Sequence, residues 1–249
     1  MSNFYSKQQA YWDSLARLDP DNAIIDPRDR RGWKNAYLSS MRDEAFASKL
    51  GAFGLSNATV LDFGCGTGSA SIGLRRQGHT VVGLDISPLL LKHARARCSD
   101  DGCIFAAIDG RTVPVQDATV DACTIYGVIC YVPDDAEATA LLRSIRATMK
   151  AGAPLLMIEQ SRRQRTLTEG GMKVQRTTSE WLALLATAGF IGTTATIMRH
   201  GRFPTTPLIR YGLLPPSTWR PLARFEKAIA AVTGVWPWDY ADVFFSGNA

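Results

Sequence analysis

The chain has 249 residues, 46% of them apolar, and carries 28 Lys/Arg against 23 Asp/Glu for a net charge of +5. That suits one α/β domain of usual size with a small accessory element, and no run approaches the roughly 18 apolar residues that cross a bilayer. The basic excess is uneven: eleven Lys/Arg and three acids lie between Gln160 and Lys227, so the C-terminal third favours an anionic partner such as a phosphate, a carboxylate, an acidic glycan or a membrane surface.

Residues 1–56 are expected to form a helical cap. Tyr5, Tyr11, Trp12, Leu15 and Leu18 recur at helical spacing. Asp19-Pro20-Asp21 and Asp26-Pro27-Arg28-Asp29 are turn signals, and a second helix is predicted from Gly32 or Trp33 to Leu50. From 57 to 249 strand and helix patterns alternate. Strands are predicted at Thr59–Phe63, Thr80–Asp85, Cys103–Ile108, Val120–Tyr126, Ala153–Glu159, Ile191–Met198 and Tyr240–Ser246. Helices are predicted at Ser69–Gln77, Ser87–Cys98 (Ser87 as N-cap, Pro88 next), Asp134–Lys150 and Ser179–Ala188, the last closed by Gly189. Repeated βα units predict a doubly wound, mostly parallel sheet with right-handed crossovers. Between about 200 and 239 lies an insertion with Pro204, Pro207, Pro215, Pro216 and Pro221, a helix near Leu222–Val232 and Trp236-Pro237-Trp238. It is long for a strand connection and is read as a flap facing the substrate, with a structural cover over a sheet edge as the alternative.

Cys65, Cys98, Cys103, Cys123 and Cys130 form no CxxC pair. An odd count without metal spacing predicts reduced thiols and a cytoplasmic setting, and the start Met1-Ser2-Asn3-Phe4-Tyr5-Ser6 lacks a basic-then-apolar leader pattern.

The chemistry is concentrated in Thr59-Val60-Leu61-Asp62-Phe63-Gly64-Cys65-Gly66-Thr67-Gly68. An apolar strand ends in an acid and a glycine-rich turn that opens a helix, where glycines let the backbone approach a nucleotide-like ligand. The spacing is Gly64-x-Gly66-x-Gly68, not the G-x-G-x-x-G of dinucleotide enzymes. A second strand, Val81-Val82-Gly83-Leu84-Asp85, also ends in a carboxylate, which can hold ribose hydroxyls.

The string Asp62-x-Gly64-x-Gly66-x-Gly68 followed by Asp85 resembles the first two motifs of class I S-adenosylmethionine-dependent methyltransferases, with Phe63 where Leu is usual. The resemblance implies a Rossmann-like methyltransferase fold, a seven-stranded sheet with the last strand antiparallel, and S-adenosyl-L-methionine as cofactor. It assigns Gly64, Cys65, Gly66 and Gly68 to the cofactor loop, Asp62 to the cofactor amino group or to loop orientation, and Asp85 to the ribose. Ile86 would lie against the adenine, Asp109 with Gly110 at the adenine amino group, and Tyr126 with Gly127 near the methionine end. Tyr131 or Tyr126 would meet the sulfonium by a cation–π contact. Arg162 and Arg163, in the loop that borders the family's substrate pocket, would grip an anionic acceptor.

Methyl transfer to a hydroxyl gains from a general base. His200, after the sixth strand, is the first choice and Glu159 the second; His79 is read as structural and His93 as exposed on the second helix. No clustered His/Asp/Glu set is present, so no metal is expected. The Asn-Pro-Pro-Tyr signature of base-methylating relatives is absent, as are an RNA-binding module and a lysine-rich tail, so nucleic acid is not the expected partner. The reading is O-methylation of a small hydroxylated or anionic substrate: a sugar, a lipid-linked glycan or a secondary metabolite. The alternatives are N- or C-methylation of a natural product, or a cofactor-binding protein of this fold without catalysis.

Overall fold

The computed structural model describes residues 2–18 and 25–249; the Asp19-Pro20-Asp21 turn lies outside them. Two helices, α1 (Ser2–Leu18) and α2 (Trp33–Ala52), precede an alternating series. It runs β1 (Thr59–Phe63), α3 (Ser69–Arg76), β2 (Thr80–Asp85), α4 (Pro88–Arg97), β3 (Cys103–Ala107), β4 (Ala122–Tyr126), α5 (Asp135–Thr148) and β5 (Pro154–Ser161). A ribbon of β6 (Thr166–Thr168) and β7 (Lys173–Gln175) follows, then α6 (Thr178–Thr187), β8 (Ile191–His200), α7 (Thr206–Arg210), α8 (Trp219–Thr233) and β9 (Ala241–Asn248).

Seven strands form one sheet in the order β3-β2-β1-β4-β5-β9-β8. β1 to β5 pair in parallel, and β9 lies antiparallel between β5 and β8. This is the doubly wound sheet expected from the sequence. The chain winds outward from β1 to β3, then returns to β4 on the other side. The crevice outside β1 and β4 is therefore the topological switch point, where open α/β sheets bind ligands.

The strands read as nearly continuous apolar runs because both faces are covered. On β5, Leu155 and Met157 point into a core with Leu142, Ile145 and Trp181 of α5 and α6. Leu156 and Ile158 alternate to the opposite core with Tyr37, Phe46 and Leu50 of α2. Helix starts are set by local chemistry: Ser87 Oγ accepts from the Leu90 amide at 3.1 Å, with Pro88 beginning α4, and Thr177 and Glu180 form a capping box on α6.

Three features depart from expectation. The β6–β7 ribbon and five-residue α7 lie where no element was predicted, each too short to carry a periodic pattern. The insertion after β8 covers the β8 edge: α8 packs on β8 and α2, and α7 on α2. Finally, Cys98 and Cys103 form a disulfide between the end of α4 and the start of β3, whereas Cys65, Cys123 and Cys130 are free and buried. Reduced thiols throughout were expected, and the five-residue spacing concealed a pair that the α4–β3 turn brings together. Among the described residues no helix is long and apolar enough to cross a membrane.

Candidate active site

Gly64, Cys65 and Gly66 of the glycine turn form the floor of a cavity over the switch point. The amides of Gly64 and Cys65 both donate to Leu84 O, at 2.7 and 3.0 Å, tying the turn to β2. Gly64 sits at φ +73°, and a Cβ there would lie 2.1 Å from Val128 Cγ2, so this position requires glycine on two counts. Gly68 caps α3 in the left-handed region, where a Cβ would press on Ala94 at 3.1 Å.

Two buried carboxylates sit at the strand ends and do different work. Asp85 accepts from the Gly66 amide at 2.9 Å and the Ser87 amide at 2.8 Å, and lines the cavity. Burial pushes its pKa up to about 6, against the pull of those two hydrogen bonds. Asp62 accepts from Ser71 Oγ at 2.6 Å and Thr124 Oγ1 at 3.1 Å. Burial raises its pKa as well. Asp62 thus braces β1 against α3 and β4 while bordering the same cavity.

The remaining walls include residues that the sequence did not single out. Tyr5, Gln8 and Trp12 of α1 close one side, and Arg42 of α2 enters from another. α1 is docked by polar contacts: Ser87 Oγ donates to Asp13 at 2.5 Å, Tyr5 Oη donates to Glu137 at 3.1 Å, and Gln8 Nε2 donates to Tyr131 O. Trp12 meets Tyr131 edge to face at 4.9 Å. Arg42 donates to Asp43 Oδ1 at 2.8 Å and Ser69 Oγ at 3.0 Å, and its guanidinium lies 5.2 Å from the centre of the Tyr126 ring. The apolar alternation that marks a helix in sequence does not reveal which polar residue on it will point inward.

Trp12, Tyr126, Gly127 and Tyr131 also wall a second cavity, beyond the ends of β4, β5 and β9. Tyr11 and Tyr240 add to its aromatic lining, and its charged groups are Glu159, Glu169, Asp242, Lys34 and Lys173. Lys34 pairs with Asp26 at 2.8 Å, and Lys173 lies 5.3 Å from the Tyr131 ring centre. Glu159 is buried; its Oε1 accepts from the amides of Val128, Ile129 and Cys130 at 2.9, 2.7 and 3.4 Å, holding the turn that carries Tyr131. Its Oε2 is sealed from solvent with no hydrogen-bond partner among the described residues, and burial raises its pKa. Asp242, near the start of β9, makes no hydrogen bond or ion pair among the described residues, and burial raises its pKa too, partly offset by nearby Arg199.

Of the expected cofactor residues, Asp62, Gly64, Cys65, Gly66, Asp85, Ile86, Gly110, Tyr126 and Gly127 line the first cavity. Asp109 does not: its exposed carboxylate accepts from the Arg111 and Thr112 amides at 2.8 Å, folding back on its own loop and lowering its pKa. Tyr131 borders both cavities. His200 lines neither; its ring stacks on Trp236 at 3.8 Å, and Nε2 faces Thr233 Oγ1 at 3.1 Å. The sequence places His200 at the carboxyl end of a strand, but β8 is the sheet edge farthest from the switch point. Arg162 donates to Gln175 at 2.6 Å and, with Arg163, borders a separate surface hollow beside Pro237. Among the described residues, Cys98, Asp100 and Cys103 come close enough to ligate an ion, and those two sulfurs are bonded to each other.

Residues 60–152 match the family model of the methyltransferase domain. The chain is 32% identical over 126 residues to the ubiquinone biosynthesis O-methyltransferase of Xanthomonas axonopodis pv. citri, covering 48% of this chain and 49% of that protein. It is 30% identical over 170 residues to the demethylmenaquinone methyltransferase of Lactiplantibacillus plantarum, covering 65% and 66%. Among solved structures, the geranyl diphosphate C-methyltransferase of Streptomyces coelicolor has a similar fold, with a TM-score of 0.66, 16% identity, and coverage of 99% and 97%. The chain spans about half the length, or less, of the first curated relatives it matches. Residues 60–152 therefore carry a methyltransferase domain, set within the seven-stranded sheet described above.

Proposed function

We propose that the chain binds S-adenosyl-L-methionine over the glycine turn and methylates an oxygen of a small hydroxylated ring compound held in the adjoining cavity. The observation that carries this reading is the pair of cavities sharing Trp12, Tyr126, Gly127 and Tyr131 as a common wall. The first fits the cofactor. Asp85 keeps lone pairs for ribose hydroxyls, Ile86, Leu90 and Ile108 offer an apolar slot for adenine, and Arg42 supplies a cation for the amino-acid carboxylate. The space a Gly64 side chain would fill is already taken by Val128, which leaves backbone as the cavity floor. When bound, the cofactor supplies a sulfonium-activated methyl group.

The chain's own contribution is alignment, exclusion of water and proton removal. Holding acceptor and methyl in line can supply roughly 7–11 kcal/mol of the barrier. Tyr126 and Tyr131 at the junction present π faces suited to a cation, a contact worth about 0.5–2 kcal/mol. For the proton, Asp242 is better placed than Glu159 or His200. Glu159 is committed to three amides and its second oxygen is sealed, and His200 is remote; Asp242 faces the second cavity with no internal partner. Asp242 would accept the proton of the acceptor hydroxyl, while the cofactor, when bound, would give up its methyl group to that oxygen and leave as the neutral thioether.

The aromatic lining favours a flat ring. With three carboxylates to two lysines, and Lys34 already paired, the wall favours a neutral hydroxylated acceptor over an anionic one. Incubation with methyl-labelled cofactor and a panel of phenols, catechols and hydroquinones tests this. Label in an extractable ether supports the reading; bound cofactor with no transfer to any hydroxyl would favour a binding protein of this fold.

A further inference from the structure

The outer surface of α8 lines neither of the two cavities above and is not covered by any other described residue. Its inward face is accounted for: Ala230 is buried, and the buried Glu226 pairs with Arg199 at 2.9 Å and accepts from Thr205 at 2.5 Å. Its outward face carries two parallel ridges. Pro221, Phe225, Ala228 and Val232 follow one another at helical spacing, with Phe225 54% and Val232 87% exposed. Beside them run Arg220, Arg224 and Lys227, all exposed and none in an ion pair among the described residues.

A second segment extends the apolar ridge. Trp238 is 67% exposed and lies 5.6 Å from Trp236, which stacks on Phe203 at 6.0 Å, which in turn meets Phe225 edge to face at 6.2 Å. This aromatic chain, with His200 stacked behind Trp236, joins Trp238 and Phe225 in one supported patch. The basic ridge borders a groove between α8 and α2 floored by Met41, Met198 and Phe244.

Charge complementarity selects the occupant. From residue 201 to 238 there are five Lys/Arg and a single acid, Glu226, and that acid is buried. A cationic rim beside exposed Phe, Val and Trp suits a surface that offers anions above and hydrocarbon below. We propose that α8 and the Trp236-Pro237-Trp238 turn dock this protein on anionic lipid bilayers, with Phe225, Val232 and Trp238 entering the headgroup boundary and Arg220, Arg224 and Lys227 meeting lipid phosphates. A nucleic acid would use the cations and leave the apolar ridge idle, and this difference can be tested.

The whole chain is sedimented with vesicles of phosphatidylcholine alone and of phosphatidylcholine mixed with phosphatidylglycerol. We expect binding to the mixed vesicles only, weakening as salt is raised. Replacing Arg220, Arg224 and Lys227 together by Gln should lower partitioning by about two orders of magnitude, at roughly fivefold per cation. F225E and V232E, at exposed positions, should also release the protein from vesicles while binding of S-adenosylhomocysteine is unchanged. In a second readout, vesicles with brominated acyl chains should quench tryptophan fluorescence in the wild type and much less in W238F. Equal binding to both vesicle types, no vesicle binding, or loss only in the charge variant with F225E and V232E still bound would each overturn the proposal. The last outcome would indicate a soluble polyanion such as RNA.

Discussion

Asp85 shows how one side chain can report on the whole site. Its pKa is raised from the ordinary 3.8 to about 6. A carboxylate with a raised folded-state pKa favours the native state most below pH 3.8, and that advantage is lost as pH rises through about 6. Ligand binding should run the other way, because only the ionised carboxylate accepts from two hydroxyls. Affinity for S-adenosylhomocysteine is therefore predicted to rise between pH 5 and pH 7, and D85N should flatten the profile; a wild-type profile already flat in this window would remove Asp85 from the site. Gly64 makes a steric prediction. Its φ of +73° and the 2.1 Å approach of Val128 mean that G64A should lower the melting temperature and weaken cofactor binding together, with the backbone strain alone costing about 1–2 kcal/mol. For Asp242, D242N should slow label transfer by about 10²–10⁴-fold with cofactor affinity kept. Wild-type turnover in D242N would move the proton to another acceptor.

Among the elements, β1 to β5 and their helices were legible because each strand is an apolar run closed by a turn signal. Ser87-Pro88 and Gly189 mark helix ends that the structure keeps. β6, β7 and α7 were not legible, since pieces of three to five residues have no period to detect. The sequence marked α1 as amphipathic and part of a cap, but not that its Gln8 and Trp12 would line a cavity whose floor, Gly64 to Gly66, is more than fifty residues away in sequence. That placement yields a prediction: W12A should weaken cofactor affinity with only a modest loss of stability, because Trp12 is partly exposed and its partner Tyr131 keeps its other contacts. If W12A binds like wild type, α1 does not close over the cofactor. The Arg199–Glu226 pair belongs to this scale as well, since it fastens α8 to β8 inside the protein. E226A would leave a buried cation without its partner and should cost about 3–5 kcal/mol, read as a fall in the denaturation midpoint; an unchanged midpoint would mean the pair contributes nothing net.

For the whole molecule, the sheet order makes the division of labour intelligible. The switch point between β1 and β4 gathers Asp62, Gly64, Gly66 and Asp85, all of which sequence spacing could find because they lie on adjacent strand ends. The second cavity draws on α1, α2, β5 and β9, which converge only in three dimensions. Sequence spacing therefore does not point to Arg42 or Asp242, and His200, on the far edge strand, lines neither cavity. The cationic C-terminal third was visible in composition, whereas the alignment of its apolar and basic ridges on α8 needed the fold. The central claim is that the Gly64–Gly68 cradle holds the cofactor. Calorimetric titration of the chain with S-adenosylhomocysteine, alongside D85A, tests it most directly. The account predicts one molecule bound per chain at micromolar affinity, with binding lost in a D85A protein that remains folded. No heat of binding in the wild type, or equal affinity in D85A, would contradict it.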